Sequence, residues 1–212
     1  MNLTIPTMIT LLRILMIPVL VVFFYLPYTW SNIACVIIFS LAGATDWLDG
    51  YLARTMNSHS SFGAFLDPVA DKLMVATSLV LLTQLHSRDY TATSILFTIS
   101  AAVIIGREIS ISALREWLAK MGESSRLKVS PIGKLKTGFQ MTAIGFLLYR
   151  EPLWIINVSL IGELLLYIAA ILTIWSMVNY IRAAWPAMRD IDTDVDAATD
   201  TIDSSLPEKN EN

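Results

Sequence analysis

The chain has little sulfur or imidazole chemistry to draw on. Cys35 is the only cysteine, so no intrachain disulfide can form, and it reads as a small apolar packing residue. The two histidines, His59 and His86, fall in expected loops without the cysteine or histidine partners that a zinc site needs. Charge is scarce as well: 16% of the residues are charged while 55% are hydrophobic. Mean hydropathy is positive, and a soluble domain of this size would not be so apolar. The opening MNLTIPTM lacks a basic segment, and no small-residue cleavage site follows the first apolar run. The first apolar segment is therefore expected to be retained rather than cleaved as a signal peptide.

Several apolar runs approach the ~20 residues that cross a bilayer. The expected fold class is an all-α polytopic membrane protein with six transmembrane helices. The expected spans are 6–28, 30–48 carrying on toward Arg54, 62–85, 91–111 with a helical continuation past Trp117, 132–149 and 153–180. Short connections at Leu26-Pro27, His86–Tyr90 and Arg150–Pro152 make tight helical hairpins. Residues 1–182 form the membrane domain, and 183–212 read as an acidic, disordered cytoplasmic tail.

The net charge of −3 averages two unlike regions. After Arg189 there are eight acidic residues and one lysine, which leaves 14 basic against 10 acidic residues in the body of the chain. Basic residues concentrate on one set of loops, at Arg54, Arg115, Lys120, Arg126, Lys128, Lys134, Lys136, Arg182 and Arg189. The other set holds Arg88 and Arg150. The positive-inside rule then puts both termini in the cytoplasm. In the tail, Asp192-x-Asp194-x-Asp196 resembles the start of a calcium loop. Ala197 stands where that loop needs glycine, and no closing glutamate follows, so a solvated tail is the better reading.

Against this apolar background stand four aspartates. They read Asp46-x-x-Asp49-Gly50-x-x-Ala53-Arg54, then eight residues, then Gly63-x-x-x-Asp67-x-x-x-Asp71. A carboxylate at membrane depth is expensive and usually has a job and a partner. On helices, Asp46 and Asp49 share a face, and so do Asp67 and Asp71. Two facing helix ends could bring all four together, where they would repel one another without cations among them. Oxygen-only ligation suits Mg²⁺ or Mn²⁺, and two divalent ions would offset the four charges. Such a pair suits phosphoryl transfer. Gly50, Ala53 and Gly63 permit close approach of a large substrate, and Arg54 can pair with a phosphate bidentately. The structural alternative is that single aspartates cap helices: Asp67 precedes Pro68 and could cap the third span. A carboxylate-lined cation transporter is a further alternative, but such sites lie near the midplane between structural repeats, and none is evident.

The pattern D-x2-D-G-x2-A-R-x8-G-x3-D-x3-D resembles the signature of the CDP-alcohol phosphatidyltransferases, with every fixed position present. The resemblance implies that Asp46, Asp49 and Asp67 bind one metal and that Asp46, Asp67 and Asp71 share a second. It implies that Asp71 is the catalytic base and that Gly50, Arg54 and Ser60 hold the CDP part of CDP-diacylglycerol. The opening IPTMITLLRI resembles the branch that uses sn-glycerol 3-phosphate, with Thr10 and Arg13 near the donor. Thr7 stands where that branch usually has asparagine. The segments GRE, LREW and GKLKT resemble the same branch.

A second basic set, Arg107, Arg115, Lys136 and Arg182, could hold the phosphate of the acceptor. The alternative is that these residues set topology and contact lipid headgroups. Serine, an inositol phosphate and phosphatidylglycerol remain alternative acceptors. The resemblance further implies a bacterial inner-membrane enzyme with a cytoplasmic active site, embedded in membrane lipids, homodimeric and without a nucleic-acid partner. Glu163, deep in the sixth span, is expected to pair with a polar group on another span or across a dimer.

Overall fold

A computed structural model describes residues 5–56, 61–86, 91–121, 131–152 and 157–205. Six helices account for nearly all of them: α1 Ile5–Tyr25, α2 Thr29–Met56, α3 Ser61–His86, α4 Ala92–Lys120, α5 Pro131–Tyr149 and α6 Val158–Ser205. Among the described residues α1, α4 and α6 are long and apolar enough to cross a membrane. At ~1.5 Å per residue, the 28 residues of α2 and the 26 of α3 are also long enough. Their hydropathy is diluted by Asn32 and Asp46 on α2 and by Asp67, Asp71 and Lys72 on α3.

The helix starts follow local chemistry. Thr91 caps α4, its Oγ1 accepting from the Ser94 amide at 3.4 Å. Asn157 caps α6 in the same way through the Leu160 amide at 3.2 Å, a short polar side chain satisfying an orphan donor. The sixth helix therefore begins at Val158, not at 153. α3 begins at Ser61, so Asp67 and Pro68 lie inside it and Asp67 is not its cap. His86, expected in a loop, is the last residue of α3. Residues 183–205, expected to be disordered, continue α6; after Pro186 no proline or glycine interrupts the sequence before Pro207.

The helices pack in a closed circuit, α1–α2–α5–α6–α4–α3 and back to α1. Its main apolar cluster includes Leu20, Phe39, Leu79, Phe97, Ile144 and Leu166, and a small second one joins Leu118 of α4 to Ala184 of α6. Cys35 belongs to the main cluster as a buried packing residue. α5 and α6 approach closely at Gly162, where an added Cβ would lie 2.8 Å from Leu147 Cγ and 3.2 Å from the Ala143 carbonyl oxygen.

One end of the bundle is tied by polar contacts among α1, α2, α3 and the α5–α6 turn. Tyr25 donates to Gln84. Asn32 donates to Glu151 at 3.2 Å. Arg150, at φ 60, takes the left-handed conformation that commonly ends a helix, and its guanidinium carbon sits 3.9 Å from the centre of the Phe24 ring. Glu163 finds its partner near this end: its Oε1 lies 3.2 Å from His86 Nε2. The His86 ring also stacks on Phe97 at 4.0 Å.

Candidate active site

The chemistry gathers at the opposite end. Antiparallel hairpins bring the early part of α1 and α3, the late part of α2 and α4, the start of α5 and the middle of α6 to one level. Thr10 of α1 donates to Asp67 Oδ1 at 2.9 Å. Arg13, three residues on and 1% exposed, sets its Nη1 3.0 Å from Asp46 Oδ1 and 4.0 Å from Asp67 Oδ1. A guanidinium thus lies between carboxylates of α2 and α3, as a buried cation must lie near its counter-charges. Asp71, one turn beyond Asp67, is within electrostatic reach of Asp46, Arg13, Glu108 and Lys72.

Asp71 also lines a cavity of about 750 Å³ between α3 and α4. Lys72, Arg107 and Arg115 supply positive charge on its wall, and Glu108 and Glu116 negative charge. Each cation is anchored. Lys72 Nζ donates to Ser112 Oγ. Arg107, 8% exposed, donates to Ser176 Oγ at 2.9 Å and stands 5.6 Å from the Tyr180 ring centre. Arg115 donates to the Tyr180 hydroxyl. Lys136 of α5 is fully buried and bound to Glu108 Oε1. Clustered, pre-oriented cations beside an acidic group suit a phosphorylated substrate with a reacting hydroxyl.

The structure therefore brings together Thr10, Arg13, Asp46, Asp67 and Asp71, and beside them Arg107 and Arg115. Lys136 belongs to the same end but is not on the cavity wall; it stands behind Glu108. Arg182 is exposed on α6. Asp49, Gly50 and Arg54 lie on α2, but their side chains are outside the described set, and Ser60 lies outside the described residues. Sequence reasoning missed Lys72 and Glu108. Lys72 adjoins the Asp67–Asp71 face, but one residue turns it about 100° toward α4. Glu108 was legible as the second charge of the Arg107-Glu108 doublet in an apolar run. Ser176 and Tyr180 carry no local signal, because their role exists only across the α4–α6 contact.

Among the described residues no three His, Cys, Asp or Glu side chains stand close enough together to hold a metal ion. The donor chemistry nevertheless fits a hard divalent cation. Asp46 and Asp67 offer only carboxylate oxygens, and they already hold one cationic group, Arg13, between them.

Apolar helices enclosing carboxylates beside a cationic cavity define an all-helical, membrane-type bundle with a charged site at one end. Residues 3–175 match the CDP-alcohol phosphatidyltransferase family model, and the chain belongs to that family. The family is generally dependent on divalent metal. The chain is 50% identical over 184 residues to the CDP-diacylglycerol–glycerol-3-phosphate 3-phosphatidyltransferases of Escherichia coli K12, Escherichia coli O157:H7 and Shigella flexneri. Each match covers 87% of this chain and 96% of the relative.

Proposed function

We propose that the chain transfers the phosphatidyl group of CDP-diacylglycerol to sn-glycerol 3-phosphate, releasing CMP and forming phosphatidylglycerophosphate. One observation carries this reading. A complete carboxylate signature, with Asp71 opening on a cationic cavity, occurs in a chain half identical to enzymes named for that reaction.

In this reading the acceptor enters the cavity with its phosphate against Arg107 and Arg115. Its free terminal hydroxyl points to Asp71. As the hydroxyl oxygen bonds to the lipid-side phosphorus, Asp71 accepts its proton and the bond from that phosphorus to the CMP oxygen breaks. A positioned base of this kind is worth ~10²–10⁴ in rate. Gly50, Arg54 and Ser60 hold the nucleotide side of the donor. Thr10 fixes the Asp67 carboxylate, and Arg13 orients Asp46. Asp46, Asp49, Asp67 and Asp71 would hold two Mg²⁺ or Mn²⁺ ions, which when bound neutralise the pyrophosphate and the leaving CMP. Lys136 and Arg182 complete the positive field of the acceptor side.

All six helices span the bacterial cytoplasmic membrane in this reading, with both termini and the site at the cytoplasmic face. Support comes from helix length, from the basic residues at that end and from the apolar surface of the bundle. A homodimer is proposed on the family resemblance. The test is to supply purified protein in detergent with CDP-diacylglycerol and labelled glycerol 3-phosphate. Equimolar CMP and phosphatidylglycerophosphate are expected; CMP release that does not depend on glycerol 3-phosphate would overturn the acceptor assignment.

A further inference from the structure

Glu108 is a charged cavity residue whose place the proposed reaction does not explain. It lines the cavity together with Asp71, on the facing helix. Its Oε1 binds two cations at once: Lys136 Nζ, and Arg107 Nη1 at 3.4 Å. Both are buried, Lys136 at 1% and Arg107 at 8% exposure, so neither charge can turn to bulk water. A carboxylate bonded to two buried cations is held in one orientation. Its other oxygen, Oε2, has no hydrogen bond among the described residues.

An ionised carboxylate only accepts hydrogen bonds. It repels a phosphate, so it cannot share the role of Arg107 and Arg115. What it can take from an acceptor is a hydroxyl proton that is neither the reacting one nor part of the phosphate. A three-carbon polyol phosphate offers one such hydroxyl, on the carbon beside the reacting one. We propose that Glu108 accepts a hydrogen bond from this second hydroxyl and so selects polyol phosphates over simple hydroxyalkyl phosphates. Lys136 is then a positioning residue that acts on the acceptor through Glu108. This deepens the proposed function and rests on it. The principle is that a site built to bond a hydroxyl rejects the analogue lacking it, because the buried acceptor is left unpaired.

The test compares two acceptors with CDP-diacylglycerol and purified full-length protein in detergent micelles: sn-glycerol 3-phosphate and 3-hydroxypropyl phosphate, which lacks only the middle hydroxyl. The wild-type protein is expected to favour glycerol 3-phosphate in kcat/KM by about 10- to 100-fold, the range of a hydrogen bond to a charged group. Two variants follow. Glu108→Gln keeps the shape, and the paired Glu108→Leu, Lys136→Met removes the carboxylate together with the more deeply buried of its two cations, leaving Arg107 on Ser176 Oγ. In the paired variant the preference should fall to within about threefold, chiefly through loss of activity on glycerol 3-phosphate; in Glu108→Gln it should fall partway. A purely structural Glu108 would lower both kcat/KM values by the same factor and preserve their ratio, which would overturn the proposal. Equal use of the two acceptors by wild-type protein would overturn it without any variant. Wild-type protein that turns over neither acceptor would instead defeat the reaction assignment itself.

Discussion

At the scale of single residues, the site depends on where a few charges meet. Among the described residues, Asp71 has the only carboxylate of the signature that lines the cationic cavity. Asp71→Asn should cut CMP release by at least ~10²-fold while CDP-diacylglycerol still binds, as read by equilibrium binding of a labelled donor; near-normal turnover would remove its role as base. Arg13 is the cation seen between Asp46 and Asp67. Arg13→Gln should destabilise the metal-free protein by about 1–2 kcal/mol, a discounted value because both carboxylates are partly exposed. Divalent ions should restore more of the thermal stability of that variant than of the wild type, and an equal response would count against the electrostatic account. Asp46 and Asp67 were legible from spacing alone, because helical periodicity puts them at the ends of facing helices. Arg13 was legible as a charge two turns into an apolar run. Glu108 was half legible: the doublet was visible, but periodicity could not reveal that Lys136, on another helix, would stand behind it.

At the scale of elements, packing follows small residues and caps. Gly162 lets α6 approach α5, and Gly162→Ala would put a Cβ against Leu147 Cγ and the Ala143 carbonyl oxygen. Leu147 can shift but the carbonyl cannot do so freely, so a loss of about 1–3 kcal/mol is expected, measured as a lower unfolding midpoint in detergent. The His86–Glu163 pair ties α3 to α6 far from the chemistry. Replacing His86 by Leu should lower thermal stability while leaving the KM for glycerol 3-phosphate within about twofold, since additive behaviour is usual for sites this well separated. Helix boundaries agreed with hydropathy at Tyr149, while α1 ends at Tyr25, three residues short of the expected 28. They departed where a side chain decided the boundary, as at Asn157, which set the start of α6.

At the scale of the whole molecule, the bundle separates two tasks. Polar contacts at one end tie the helices together, and the other end concentrates carboxylates and cations. Six helices and an α-only fold were evident in the sequence, because apolar runs and hairpin turns are local signals. The order of the circuit was not, since the pairing of α2 with α5 and of α4 with α6 is carried by long-range packing. The proposed orientation predicts that reporters fused at either terminus face the cytoplasm. Removing residues 190–212 should leave turnover within about twofold, because the acidic segment lies beyond the site; a larger loss would assign that segment a part in the reaction.

The reaction itself is the central claim, and a competition among acceptors tests it most directly. Purified protein would receive CDP-diacylglycerol, Mg²⁺ or Mn²⁺, and equal amounts of labelled glycerol 3-phosphate, serine, inositol phosphate and phosphatidylglycerol, with the lipid products identified by mass. The account predicts phosphatidylglycerophosphate as the product, formed with one CMP per lipid and abolished by chelating the metal. A different phospholipid, or the same yield after chelation, would contradict it.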